Sequence, residues 1–88
     1  MPQANSMSDV KKLRLVISKV DSQLFSGDAI SVTVPGSEGV MTILAHHAPL
    51  ISMLREGTIR VVTPDTEKTF KIQNGVLEIN SNKVTILV

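Results

Sequence analysis

One set of apolar residues recurs at every second position along most of this chain, and that spacing leaves little room for anything but β-structure. Leu13, Leu15 and Ile17 alternate with Arg14, Val16 and Ser18. Ile30, Val32 and Val34 alternate with Ala29, Ser31 and Thr33, and Ile59 and Val61 with Thr58, Arg60 and Val62. Phe70 and Ile72, Leu77 and Ile79, and Val84, Ile86 and Val88 repeat the pattern towards the C-terminus. Successive strand side chains point to opposite faces, so each run predicts a strand with one face to bury. Valine, isoleucine and threonine supply 26 of the 88 residues, and these β-branched types suit a pleated surface. Turn formers punctuate the runs: Ser26-Gly27-Asp28, Pro35 to Gly39, Glu56-Gly57, Pro64-Asp65, Asn74-Gly75 and Asn80-Ser81-Asn82. Strands spaced about ten residues apart predict an all-β sandwich or barrel. Asn74-Gly75 is the strongest hairpin signal, predicting a two-residue type I′ turn.

With 88 residues the chain has room for one domain. Residues 1–10 are polar and patternless and read as a disordered tail, leaving 11–88 for the domain. The formal net charge is +1 and Phe25 and Phe70 are the only aromatics. A nucleic-acid binder usually carries a basic excess and aromatics on which bases stack, so no nucleic-acid partner is expected. Cysteine is absent, which removes disulfides, thiolate metal sites and a cysteine nucleophile. No apolar run approaches the roughly 20 residues of a membrane helix, and Met1 to Asp9 lack a basic-then-apolar signal pattern.

Chemistry-bearing motifs are sparse. Gly36-Ser37-Glu38-Gly39 lacks the Gly-Lys-Ser/Thr ending of a phosphate loop and no helix follows it, so it reads as a turn. His46 and His47 are adjacent, and adjacent residues on an extended chain point in opposite directions, which is poor geometry for one metal. The acids sit mostly beside turns or on polar strand faces, and the serines lack a nucleophile-elbow context. No catalytic residue, metal or cofactor is expected. A free-standing ligand-binding sandwich would want an aromatic platform, and there is no Trp or Tyr. One segment breaks the alternation: Leu50, Ile51, Met53 and Leu54 are apolar on both sides of a strand. Such a strand is either central to the core or covered on its second face by another protein.

The order of motifs from Leu24 onward resembles a known family. Leu24-Phe25-Ser26-Gly27 is followed by Ile30 to Gly39, then Ile43-Leu44, His47-Ala48-Pro49-Leu50 and Leu54-Arg55-Glu56-Gly57-Thr58-Ile59-Arg60-Val61. These are similar to the FSG, GxEG, HAP and G-x-I/L-x-V elements of the N-terminal domain of the F-type ATP synthase epsilon subunit, called delta in mitochondria. Asn74 to Ile79 and Val84 to Leu87 resemble its final hairpin, so the likeness runs from Leu13 to Val88. The resemblance implies a flattened ten-stranded antiparallel sandwich that is a non-catalytic rotor part. It implies docking on the gamma subunit and on the loops of the membrane ring of c subunits, with membrane association only through that complex. The expected location is the cytoplasmic side of a bacterial inner membrane, or the matrix or stroma side in an organelle. By analogy Gly36, Ser37, Glu38, Val40, His46 and His47 would face the ring, and Phe25, Leu50, Ile51, Met53 and Leu54 would face gamma. Val40 and Thr42 stand where the family often has an acid and a glycine, and Ala45 and His46 where it often has proline and glycine. The helical hairpin that many epsilon subunits carry next has no counterpart in these residues, so inhibition and nucleotide binding are not expected of them.

Overall fold

The computed structural model describes residues 11–88; the tail expected over 1–10 lies outside the described residues. Nine strands follow one another: β1 (Leu13–Lys19), β2 (Ser22–Ala29), β3 (Ser31–Gly36), β4 (Gly39–Leu44), β5 (Leu50–Leu54), β6 (Gly57–Val62), β7 (Glu67–Ile72), β8 (Gly75–Asn80) and β9 (Lys83–Leu87). They pair in the order β2-β1-β9-β8-β5-β3-β6-β7, with β4 added to β3. The sheet curls into two layers, β2-β1-β9-β8-β5 and β4-β3-β6-β7. The join is a single step, Gly36 of β3 opposite Leu54 of β5. Among the described residues the strand count is nine, where the resemblance implied ten. One pair also departs from the antiparallel expectation: β1 and β9 run parallel, because the first and last strands are neighbours that cross the slab in the same direction.

The core is built from the alternating residues. Leu13, Leu15 and Ile17 of β1, Val84 and Ile86 of β9, and Leu77 and Ile79 of β8 are buried from one layer. Val32 and Val34 of β3, Ile43 of β4, and Ile59 and Val61 of β6 are buried from the other. No polar or charged side chain among the described residues is buried, so hydrophobic burial holds the layers together without desolvated charges. At the open side, Phe25 of β2 meets Phe70 of β7 edge-to-face, with centroids 6.4 Å apart at 71°, and the Lys68 ammonium sits 5.9 Å from the Phe25 centroid. Both rings pack against the core, closing the edges that the two outermost strands would otherwise leave apart.

The turns differ from the sequence expectation in an instructive way. Asn74-Gly75 is not a hairpin turn: β7 pairs with β6 and β8 with β5 and β9, so Gln73-Asn74 carries the chain from one layer to the other. Gly75 is needed for space, since a Cβ there would lie 2.6 Å from the Leu87 carbonyl oxygen. The turn with two positive φ angles is Ser81-Asn82, at 53° and 60°, between the paired Asn80 and Lys83. Asn82 holds that corner by accepting from the His46 backbone N–H at 2.7 Å and donating from Nδ2 to the Lys12 carbonyl at 2.9 Å. Ser26-Gly27-Asp28, read as a turn, lies inside β2. Ile30, expected inward, is only half-buried at the bend between β2 and β3.

Candidate partner-docking surfaces

The outer faces of the two layers differ in chemistry. On the β4-β3-β6-β7 layer the outward residues are mostly hydroxyl-bearing or charged. Thr33 and Thr42 share a hydrogen bond of 3.0 Å, and Arg60 forms an exposed ion pair with Glu67. The hydrogen bond from Arg60 holds the Glu67 carboxyl below its usual range, and the Arg60 guanidinium is raised in turn. On the other layer the outward positions of three adjacent strands line up an apolar row. Met53 of β5 stands opposite Val76 of β8, and Val76 opposite Leu87 of β9. Ile51 flanks the row on β5. Ile51 is 72% exposed, Met53 59% and Leu87 54%. Leaving these side chains in water forgoes about 1.5–3 kcal/mol for each if fully buried, and clustered exposure of this kind marks a contact surface.

This answers the question posed by the Leu50–Leu54 segment. Leu54 is buried and Leu50 packs against the core, whereas Ile51 and Met53 point outward. Of the residues expected to face gamma, only Ile51 and Met53 therefore share one exposed surface. Phe25 faces inward on β2, at the opposite edge of the same layer from β5. Val76 and Leu87 complete the row, and the sequence expectation did not include them. Their signal was the same one: Val76-Leu77 and Ile86-Leu87 are adjacent apolar pairs on strands, so one member of each must face out.

The residues expected to face the ring separate into two groups. Gly36, Ser37, Glu38 and Val40 surround the β3–β4 turn, where Ser37 and Glu38 are exposed, Gly36 is buried and Val40 is 75% exposed. His46 and His47 lie beyond the other end of β4, in the loop leading to β5. From Glu38 to His46 the chain runs the length of β4, six residues or about 20 Å of extended chain. Four turns share the Ser37 end: Val20-Asp21, Ser37-Glu38, Arg55-Glu56 and Gln73-Asn74. A shallow depression of about 330 Å³ opens there between the β3–β4 and β5–β6 turns, floored by Val34, Pro35 and Gly57. At the His46 end, the His47 ring nitrogen Nδ1 lies 2.8 Å from the Ala48 carbonyl. Among the described residues no group of three or more His, Cys, Asp or Glu is placed to hold a metal ion.

This nine-strand sandwich, with an apolar row at one end of an otherwise polar outer face, matches a described family. Residues 12–88 match "ATP synthase, Delta/Epsilon chain, beta-sandwich domain". The chain belongs to this ATP synthase delta/epsilon family. It is 40% identical over 76 residues to the ATP synthase epsilon chain of Caulobacter vibrioides, covering 86% of this chain and 88% of that one. It is 40% identical over 65 residues to the Bartonella quintana epsilon chain and 38% over 80 residues to that of Sulfurimonas denitrificans. It spans only 47% and 62% of those two relatives. Solved structures agree in fold. A chain of the Euglena gracilis mitochondrial ATP synthase OSCP/F1/c-ring structure superposes with a TM-score of 0.82 at 20% identity, over all of this chain and 59% of that one. A chain of the Tetrahymena thermophila central stalk/c-ring structure gives 0.76 at 14% identity, over 89% and 63%. Residues 12–88 are thus the beta-sandwich domain of that family.

Proposed function

We propose that this domain is a non-catalytic coupling element of the rotor, joining gamma to the c-ring so that rotation driven by protons reaches the catalytic head. The observation that carries the reading is the apolar row Met53–Val76–Leu87, exposed at Met53 and Leu87 and half-buried at Val76, with exposed Ile51 beside it, on a rigid two-layer slab. A coupling element needs stiffness and contact faces, not a cleft, and two layers sharing a close-packed core resist bending better than a loop. Gamma covers the apolar row. The ring meets the end that carries Ser37, Glu38 and Val40, and the chain reaches the membrane surface only through these contacts. The His46–His47 loop, at the far end of β4, stands away from that second contact.

The test is calorimetric titration of this chain into purified gamma. Ile51 and Met53 are already partly shielded, so together they contribute about 2.5–3 kcal/mol when covered. The double variant Ile51→Asp, Met53→Glu should bind about 100-fold more weakly while keeping the circular dichroism spectrum and melting temperature of the parent. Unchanged affinity in the folded variant refutes the assignment of this face to gamma. In the assembled enzyme a Ser37→Cys variant should cross-link to a ring loop and a His47→Cys variant should not; the reverse result would turn the slab end for end.

A further inference from the structure

Three strands, β2, β4 and β7, each pair with one neighbour only, leaving one side of each without a strand among the described residues. Exposed edges invite pairing with another chain, and proteins blunt them with charges, bulges or proline. β7 carries Glu67, Lys68 and Lys71. β2 carries Asp28, and its ladder with β1 is interrupted by a bulge at Ile17/Ser18. β5 has a partly open side too, but the Met53 carbonyl already accepts from the Ser37 N–H, leaving too short a stretch to pair. β4, Gly-Val-Met-Thr-Ile-Leu, carries no charge, bulge or proline.

The direction of its free backbone groups follows from Pro35. Proline has no N–H, so the Pro35–Val40 pair is one of the non-hydrogen-bonded pairs of the β3–β4 ladder. Alternation then makes Thr33–Thr42 and Ser31–Leu44 non-hydrogen-bonded as well. The close approach of the Thr33 and Thr42 hydroxyls fits that assignment. Val40, Thr42 and Leu44 therefore point their N–H and C=O groups away from β3. Their side chains are on the outer face, Val40 and Leu44 largely exposed.

We propose that β4 is a self-complementary edge on which a second copy of this chain pairs, antiparallel, about a two-fold axis at Thr42. Opposed residues of an antiparallel pair share a face, so the register must set outward against outward. Centring on Thr42 does this: Val40 faces the partner's Leu44, Thr42 faces its own counterpart, and Leu44 faces the partner's Val40. Each of the three is then a hydrogen-bonded pair exchanging two bonds, about six in all. No charge is opposed to its like. A two-fold axis requires one patch to match itself, and a charged or bulged edge would fail that condition. The contact is small beside the roughly 1,200–2,000 Å² of a stable interface, so the dimer is weak, with a dissociation constant of about 10–1,000 µM.

The absence of native cysteine makes the test direct. A hydrogen-bonded pair holds Cα atoms about 5.5 Å apart, within disulfide range. In the full chain at high micromolar concentration, Thr42→Cys should oxidise to a covalent dimer at least about tenfold faster than Thr69→Cys on the charged β7 edge. Sedimentation of the unmodified chain should show concentration-dependent dimers that Val40→Pro abolishes. That substitution removes a donor aimed at the free edge and none from the β3 ladder. Equal oxidation of the two cysteine variants overturns the proposal. If the Val40, Thr42 and Leu44 amides are protected from exchange in the dilute monomer, residues 1–10 of the same chain cover the edge instead, and the proposal fails. If the amides exchange freely at every concentration, the edge is open only to a foreign strand, and it fails again.

Discussion

Replacing Gly75 by alanine should cost this domain a large share of its stability, although it adds one methyl group. The Cβ would lie 2.6 Å from the Leu87 carbonyl oxygen and 3.1 Å from Val88 Cγ1. A side chain could swing aside, but the nearer obstacle is backbone of β9, the strand between β1 and β8. Relief therefore requires β8 and β9 to separate locally, loosening the pairing at Val76 and Leu87. Overpacking of this kind costs about 1–3 kcal/mol, and a backbone obstacle points to the upper half of that range. For a domain this size total stability is about 4–12 kcal/mol. With a urea m-value of about 1 kcal/mol/M, the midpoint should fall by about 2 M. Gly27→Ala is the control. Its Cβ would sit 3.7 Å from the Phe25 ring, an ordinary contact, and reduced freedom in the unfolded chain should make it neutral or stabilising by about 0.4–1 kcal/mol. Far-ultraviolet circular dichroism in urea measures both, since the chain has no Trp. Equal midpoints for Gly75→Ala and the parent, or equal losses at the two glycines, would refute the steric argument.

Other substitutions probe separate features. Ile59→Asp introduces a carboxylate at a fully buried core position; an unpaired charge there costs several kcal/mol even after neutralisation, so the chain should be unfolded by circular dichroism at 25 °C. Asn82→Ala removes both side-chain hydrogen bonds and places a Cβ residue without Asn's tolerance at φ 60°, so a loss of about 1–3 kcal/mol is expected. Asn82→Gly should lose less, because it keeps the backbone freedom; equal losses would show that φ is irrelevant. Glu67 titrates below its ordinary value of 4.5 when folded, so its contribution is present above that value and fades as pH falls through the folded pKa. Acid titration of stability should therefore flatten in Glu67→Gln, and salt should diminish the difference because the pair is exposed.

The alternating runs are legible in the sequence wherever a strand buries one face, which is why Leu13, Leu15, Ile17, Ile59, Val61, Leu77, Ile79, Val84 and Ile86 fall inward as the pattern predicts. The pattern fails at edges. β2 holds Gln23, Ser26, Gly27 and Asp28, a composition that looks like a turn because an edge strand that gives the core only Phe25 and Ala29 needs few apolar groups. Asn74-Gly75 misleads because local turn chemistry says nothing about which strands pair, and there the glycine serves a close approach from β9. The parallel β1–β9 pair joins positions about 70 residues apart in the chain, beyond the reach of any local rule. Of the candidate surface, the double-sided character of β5 is visible in Leu50 to Leu54. The division of that segment between core and solvent depends on register with β8. The His46–His47 loop and the Ser37 turn are close in sequence and sit at opposite ends of one strand, so chain proximity joins what the fold separates.

The position of β9 bears on how the domain is made. As a ribosome releases the chain, β1 and β8 emerge with a gap between them that β9 alone fills. Nascent polypeptide lacking Lys83–Leu87 holds Leu15, Ile17, Leu77 and Ile79 against no partner on that side. Closure of this layer must therefore wait until β9 has emerged, and pairing of such distant segments is intrinsically slow. Until then the unfinished layer exposes apolar strand, making the growing polypeptide a client for holding chaperones during synthesis.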